Sequence, residues 1–78
     1  MTLEQIDEEV EKIISTLTEL IKQEEESETT SANLFLYKQH LKEAETLKHD
    51  VENDIEIRFD FGADLRQLQL ESLKQSVA

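Results

Sequence analysis

The sequence predicts a mainly α-helical fold, either an antiparallel helical hairpin or a small bundle with coiled-coil-like packing. Two long segments place apolar residues at helical spacing, an acidic segment separates them, and the chain has one glycine, no proline and no cysteine. A chain of 78 residues is the size of one small domain or less, since domains usually run to about 100–150 residues. We therefore expect a single small helical domain over residues 1–78.

The first predicted helix, residues 2–24, carries the most regular pattern in the chain. Thr2 and Gln5 have the spacing of a capping box, in which two side chains satisfy free backbone N–H groups at a helix start. The apolar stripe is either the inner face of an intramolecular hairpin or a seam shared between chains, and the sequence leaves both open. Its residues follow gaps of three and four, as the a and d positions of a heptad do: Leu3, Ile6, Val10, Ile13, Leu17 and Leu20.

An acidic link over residues 23–31 is expected to join two antiparallel helices. It contains no apolar residue. Its successive glutamates, residues 24–26, repel one another and meet the negative end of the first helix dipole, which favours fraying there. Thr29, Thr30 and Ser31 offer hydroxyl oxygens that can cap a second helix.

The second predicted helix covers residues 31–53. Its first turn is apolar over a wide arc, which indicates burial on two sides or a contact patch. Lys38 and Lys42 lie one turn apart beside the apolar stripe, where they can meet glutamates of the first helix. The apolar residues that we expect at an interface here are Leu34, Phe35, Tyr37 and Leu41.

The apolar period changes in residues 54–62. Strict alternation and the terminal Gly62 are typical of a half-buried strand, which would pair in a hairpin over residues 55–70 or with a partner's sheet. Val51, Ile55 and Phe59 also lie four apart, which is the spacing of a helix. Strand and helix both remain open, and each predicts a binding surface formed by the alternating apolar residues Ile55, Ile57, Phe59 and Phe61.

A final helix is expected over residues 63–75. Asp64 can cap its start, and Leu65, Leu68 and Leu73 follow at near-helical spacing. The segment is rich in Leu, Gln, Glu and Lys, which are good helix formers.

No catalytic, cofactor-binding or metal site is expected, so we do not expect an enzyme. His40 and His49 are nine residues apart, which places them on opposite sides of a helix and prevents them from sharing a metal ion. A phosphate-binding loop needs several glycines, and the chain has one. Acid–base catalysis needs two carboxyl groups held in a pocket, which so small a core does not build.

Charge and hydropathy exclude several classes of partner. Lys and Arg total 8 and Asp and Glu total 19, so the net charge is −11, and the cationic clusters that bind nucleic acid are missing. No apolar run approaches the length of about 20 residues that spans a membrane. Residues 1–4 lack the basic start of a signal peptide, which favours a cytoplasmic protein. No small-molecule substrate is expected.

The remaining expectation is association with a protein partner, as a homo- or hetero-oligomer. Chains of about 70 residues or fewer seldom gain more than about 3–5 kcal/mol from one core, and they usually need a staple or a partner. We expect the interface to use the apolar stripe of the first helix, the wide arc of the second and the alternating segment after it. The function that follows is a small acidic interaction subunit, an accessory, chaperone-like or scaffold component of a larger assembly.

In size and helix–link–helix layout, residues 3–55 resemble the small helical co-chaperones of secretion systems and the short coiled-coil subunits of larger assemblies. The likeness involves no diagnostic motif, so it assigns no family. A second hypothesis is an acidic decoy that imitates DNA and inhibits a nucleic-acid-binding protein. The acidic excess lies mainly in residues 1–28, where ten acidic residues face two lysines.

Overall fold

The computed structural model describes residues 1–26 and 32–77. Three α-helices make up most of these residues: α1 (Leu3–Glu26), α2 (Ala32–Glu56) and α3 (Ala63–Val77). A short 3₁₀ turn, Asp60–Gly62, leads into α3. The predicted mainly α-helical fold class is confirmed.

The start of α1 is the predicted capping box. The backbone N–H of Gln5 donates to Oγ1 of Thr2 at 3.2 Å, and the backbone N–H of Thr2 donates to Oε1 of Gln5 at 2.9 Å. At its other end α1 continues to Glu26, two residues beyond the predicted end, so the glutamates of residues 24–26 belong to the helix. The rest of the acidic link and its three predicted capping residues lie outside the described residues.

Ion pairs between the helices show how they are arranged. Nζ of Lys48 lies 3.3 Å from Oδ1 of Asp7, so the end of α2 lies beside the start of α1 and the two helices are antiparallel. The ammonium group of Met1 donates to Oε1 of Gln67 at 3.2 Å, and Nζ of Lys74 lies 3.3 Å from Oε2 of Glu9, so α3 runs parallel to α1. At 1.5 Å per residue, the 15 residues of α3 span about 22 Å, whereas the 24 residues of α1 span about 36 Å. The third helix therefore covers only one half of the hairpin, in a molecule 46 Å long.

The core lies where the three helices meet. The apolar stripe of α1 faces α2 and α3, so its inner residues are covered by the same chain rather than by a second chain. This arrangement is the intramolecular alternative of the two that the heptad pattern allows. The buried apolar residues of the core are Leu3, Ile6, Val10, Leu17, Ala44, Leu47, Val51, Leu70 and Leu73.

The strand alternative for residues 54–62 is wrong, because the described part of the chain contains no strand and α2 continues to Glu56. The backbone N–H of Phe59 donates to the carbonyl oxygen of Asp54 at 2.8 Å, and that of Arg58 donates to Ile55 at 3.1 Å. These two bonds form a Schellman motif, which satisfies the last carbonyls of a helix within the chain. A lone strand would have left the same groups without partners.

Arg58 occupies the left-handed position of this motif, with a φ of 58°. Glycine is the usual residue there, since a Cβ in this conformation costs about 1–2 kcal/mol. We expect Arg58→Gly to stabilise the protein by about 0.5–1 kcal/mol. The gain is smaller than the backbone strain that is relieved, because glycine has greater freedom in the unfolded chain and loses more of it on folding. Thermal unfolding followed by circular dichroism measures the change. A lower melting temperature for Arg58→Gly would show that the Arg58 side chain contributes contacts that outweigh the backbone strain.

Candidate protein-interaction surface

Residues 57–62, here called the elbow, reverse the chain between α2 and α3. The Schellman motif ends α2 at Glu56, and the 3₁₀ turn begins four residues later, at Asp60. The backbone N–H of Gly62 donates to the carbonyl oxygen of Phe59 at 3.0 Å and closes the second turn. The backbone of the elbow is therefore hydrogen-bonded at both of its ends.

An ion pair beneath the elbow ties α3 to α2. Nε of Arg66 donates to Oδ2 of Asp54 at 2.7 Å, and Nη1 lies 3.7 Å from Oδ2 of Asp50. Nη1 also donates to Oε1 of Gln69 at 3.0 Å. Asp54 is 4% exposed and is the one buried charged residue among those described. Hydrogen bonding to Asp54 raises the pKa of Arg66 above its usual value, and the charges of Asp54 and Asp50 act in the same direction.

Gly62 packs directly against this ion pair. A Cβ at position 62 would lie 2.8 Å from Oδ2 of Asp54 and 3.0 Å from Cδ1 of Phe59. The φ of Gly62 is not positive, so the position needs glycine for space rather than for backbone conformation. The sequence interpretation of Gly62 as the end of a strand is wrong, because Gly62 closes the 3₁₀ turn.

The outer side of the elbow is apolar and faces solvent. Phe61 is 91% exposed, and its ring stands 6.4 Å from that of Phe59 in an edge-to-face arrangement. Leu65 and Leu68 follow Phe61 at spacings of four and three, which places them along one side of α3. Soluble chains seldom leave several large apolar side chains grouped on the surface without a binding role. We call this surface the elbow patch; its residues are Phe59, Phe61, Leu65 and Leu68, each about half or more exposed.

The predicted interface residues of α1 lie mostly inside the molecule. The four that are buried in the core do not form an accessible surface, and the other two are half-buried at its edge. The buried residues are Leu3, Ile6, Val10 and Leu17, and the half-buried ones are Ile13 and Leu20.

The predicted interface residues of α2 and the elbow divide in two. Those on the inner side of α2 are half-buried: Leu34, Tyr37, Leu41 and Ile55. Phe35, at the start of α2, is 71% exposed. Lys38 lies 3.4 Å from Oε1 of Glu25, which places Phe35 at the far end of the hairpin from the elbow. The remaining predicted residues are exposed at the elbow: Ile57, Phe59 and Phe61.

Sequence reasoning missed Leu65 and Leu68 as surface residues, because it placed them in one set with Leu73 and did not separate the exposed leucines from the buried one. The spacing of four from Phe61 to Leu65, and of three from Leu65 to Leu68, was the signal that linked them to the predicted binding surface. The pairing of Asp54 with Arg66 had no such signal, since carboxylates and cations are frequent throughout the chain.

One further groove and one buried histidine nitrogen stand out among the described residues. A groove of 390 Å³ between α2 and α3 has Leu47 and Leu73 on its floor and an open, polar rim. Nδ1 of His40 is buried without a hydrogen-bond partner and lies 3.7 Å from Oε2 of Glu43. Over residues 1–26 and 32–77, no three His, Asp or Glu side chains come together as metal ligands would.

Within the described helices, none combines the length and the apolar character that crossing a bilayer requires. No family model matches the chain, and neither a curated protein nor a solved structure matches it.

Proposed function

We propose that this protein is a small protein-binding subunit that uses the elbow patch as its contact surface. The observation that carries the proposal is the grouping of four large apolar side chains on one exposed turn and the helix that follows it. Accessory, chaperone-like and scaffold subunits all act by such binding. The predicted partner is a protein, in a homo- or hetero-oligomer.

The way the elbow is built supports this proposal. Helix α3 presents Leu65 and Leu68 to solvent on one side, while Leu70 and Leu73 on the other side are buried in the core. The ion pair between Asp54 and Arg66 fixes α3 against α2. The patch therefore lies on a rigid support, and a rigid binding surface loses less conformational entropy when a partner binds.

Affinity capture with the tagged full chain tests the proposal. Extracts of the cells that produce the protein are passed over wild type and over the double variant Phe61→Ser/Leu68→Ser, and the retained proteins are identified by mass spectrometry. Both side chains are mostly exposed, so the variant should melt at nearly the wild-type temperature. We expect a partner that wild type retains and the double variant loses.

Phe35→Ser is the control, because it removes another largely exposed aromatic ring, 71% exposed, at the opposite end of the hairpin. It should retain the partner. Loss of the partner with Phe35→Ser but not with Phe61→Ser/Leu68→Ser would place the contact surface at the start of α2 and contradict the proposal. Light scattering during size-exclusion chromatography shows whether the partner is a second copy.

The alternative of a DNA-mimicking inhibitor has weaker support. It needs a dense field of unpaired carboxylates along α1, but Asp7, Glu9 and Glu25 are each within 3.4 Å of a lysine of the same chain. A decoy complex would weaken steeply as salt rises, whereas apolar packing at the elbow patch would persist. Measuring partner retention over a range of salt concentrations separates the two hypotheses.

A further inference from the structure

We infer that the partner of the elbow patch is a basic amphipathic helix that lies along the outer side of α3. This inference rests on the proposed function and adds the chemistry of the partner. Its apolar residues would pack on Phe61, Leu65 and Leu68, and its Lys or Arg residues would meet the carboxylates of Asp64 and Glu71.

The apolar part of this site has the form of a helix–helix contact. Leu65 and Leu68 are three residues apart and lie on one side of α3, and Phe61 precedes them in the 3₁₀ turn that leads into this helix. Such a stripe fits a second helix with apolar residues at the same spacing, as in other complexes where an amphipathic helix packs into an apolar groove. The three side chains are 91%, 53% and 64% exposed, so the contact has no occupant within the described chain.

The charged part of the site lies on one flank of the stripe. Asp64 and Glu71 are seven residues apart, close to two helical turns, and so lie on the same side of α3. With Gln67 they line a shallow depression around Leu68. Neither carboxylate forms an ion pair within the described residues; Glu71 accepts a long hydrogen bond of 3.5 Å from Nε2 of Gln67. The ammonium group of Met1 also lies on this flank, where it donates to Oε1 of Gln67 at 3.2 Å rather than to either carboxylate.

The neighbouring cations of α3 are already engaged. Arg66 pairs with Asp54, and Lys74 pairs with Glu9. The opposite flank of the stripe carries Gln69, which is hydrogen-bonded to Arg66. The site is thus acidic on one flank and neutral on the other, and its complement carries cations on one flank only.

Charge also argues against a second copy of this chain as the occupant. Each copy has a net charge of −11. Two elbow patches packed together would bring Asp64 and Glu71 of both copies within reach of one another, and neither carboxylate has a cation paired with it in its own chain. Like charges facing each other across an interface disfavour the complex.

The test uses three fluorescent peptides of about 18 residues with the same leucine stripe. One flank carries lysine and arginine in the first peptide, glutamine in the second and glutamate in the third. Binding to the full chain is measured by fluorescence anisotropy at an ionic strength of about 0.15 M. We expect the basic peptide to bind about tenfold more tightly than the glutamine peptide, and the acidic peptide to bind most weakly.

Charge reversal on the chain supplies the decisive comparison. Asp64→Lys/Glu71→Lys should reverse the order, so that the acidic peptide binds best. Glu8→Lys/Glu19→Lys, on the exposed side of α1, is the matched control, since both double variants raise the net charge from −11 to −7. The control should keep the wild-type order. If the substitution at Asp64 destabilises the first turn of α3, the single variant Glu71→Lys, in the middle of the helix, replaces the double variant in this comparison.

Three results would overturn the inference. Suppose that the basic and glutamine peptides bind with equal affinity and that Phe61→Ser/Leu68→Ser abolishes the binding of both. The partner then need not be basic, but the proposed function still stands. If Glu8→Lys/Glu19→Lys also reverses the order of peptide affinities, the preference for basic peptides comes from the net charge of the chain and not from Asp64 and Glu71. Binding of no peptide, together with a dimer that Phe61→Ser/Leu68→Ser disrupts, would make a second copy the occupant. If affinity capture also shows no difference for that variant, the proposed function fails as well.

Discussion

Replacing Leu70 with alanine should destabilise the protein by about 3 kcal/mol, because the side chain is 1% exposed and the substitution leaves a cavity where three helices meet. The third helix anchors to the hairpin mainly through Leu70 and Leu73, so the loss falls on the docking of α3. A domain of this size has a total stability of about 4–12 kcal/mol. Urea unfolding followed by circular dichroism measures the loss.

Leu68→Ala is the matched control, two residues away in the same helix. It removes the same number of atoms from a side chain that is 64% exposed. We expect a change within about 0.5 kcal/mol, as for other surface substitutions. Equal effects of the two substitutions would show that α3 is not packed on the hairpin in the orientation described, and would also withdraw support from the elbow patch.

The parts of the fold that could be predicted from the sequence are those set by neighbouring residues. The capping box of Thr2 and Gln5 depends on two side chains three residues apart, and it forms as predicted. The heptad stripe of α1 predicted which face is buried, because helix period and apolar burial act on the same residues. Whether a second chain or the same chain covers this stripe depends on distant segments, so the pattern alone did not decide it.

The elbow was poorly predicted because its structure depends on contacts that the local pattern does not contain. The alternation of residues 55–61 fits a strand, but α2 ends within this segment. Arg58 adopts the left-handed conformation that usually belongs to a glycine, so the sequence shows no glycine to mark the helix end. Gly62 is instead kept free of a side chain by Asp54, eight residues earlier in the chain. Of the candidate surface, Phe59 and Phe61 were predicted as part of a binding surface, while Leu65 and Leu68 were not.

The second large effect is expected for Arg66→Met, which leaves the buried carboxylate of Asp54 without a cation. A charged group that is almost inaccessible to water and has lost its partner costs about 3–5 kcal/mol. We expect about 3 kcal/mol, because the Arg66 side chain itself is 18% exposed and water can reach part of the site. Urea unfolding of the variant measures the loss.

A mutant cycle separates the ion pair from simple packing. Asp54→Asn/Arg66→Met should be less destabilised than the sum of the single variants, since no buried charge remains without a partner. Lys38→Met is the control for an ion pair of the same kind at the surface, where both side chains are more than half exposed; it should cost at most about 1 kcal/mol. If Arg66→Met costs no more than Lys38→Met, the ion pair does not hold α3 against α2. The elbow patch would then lie on a movable helix, and its affinity for any partner would be reduced by the fraction of molecules in which the helix is undocked.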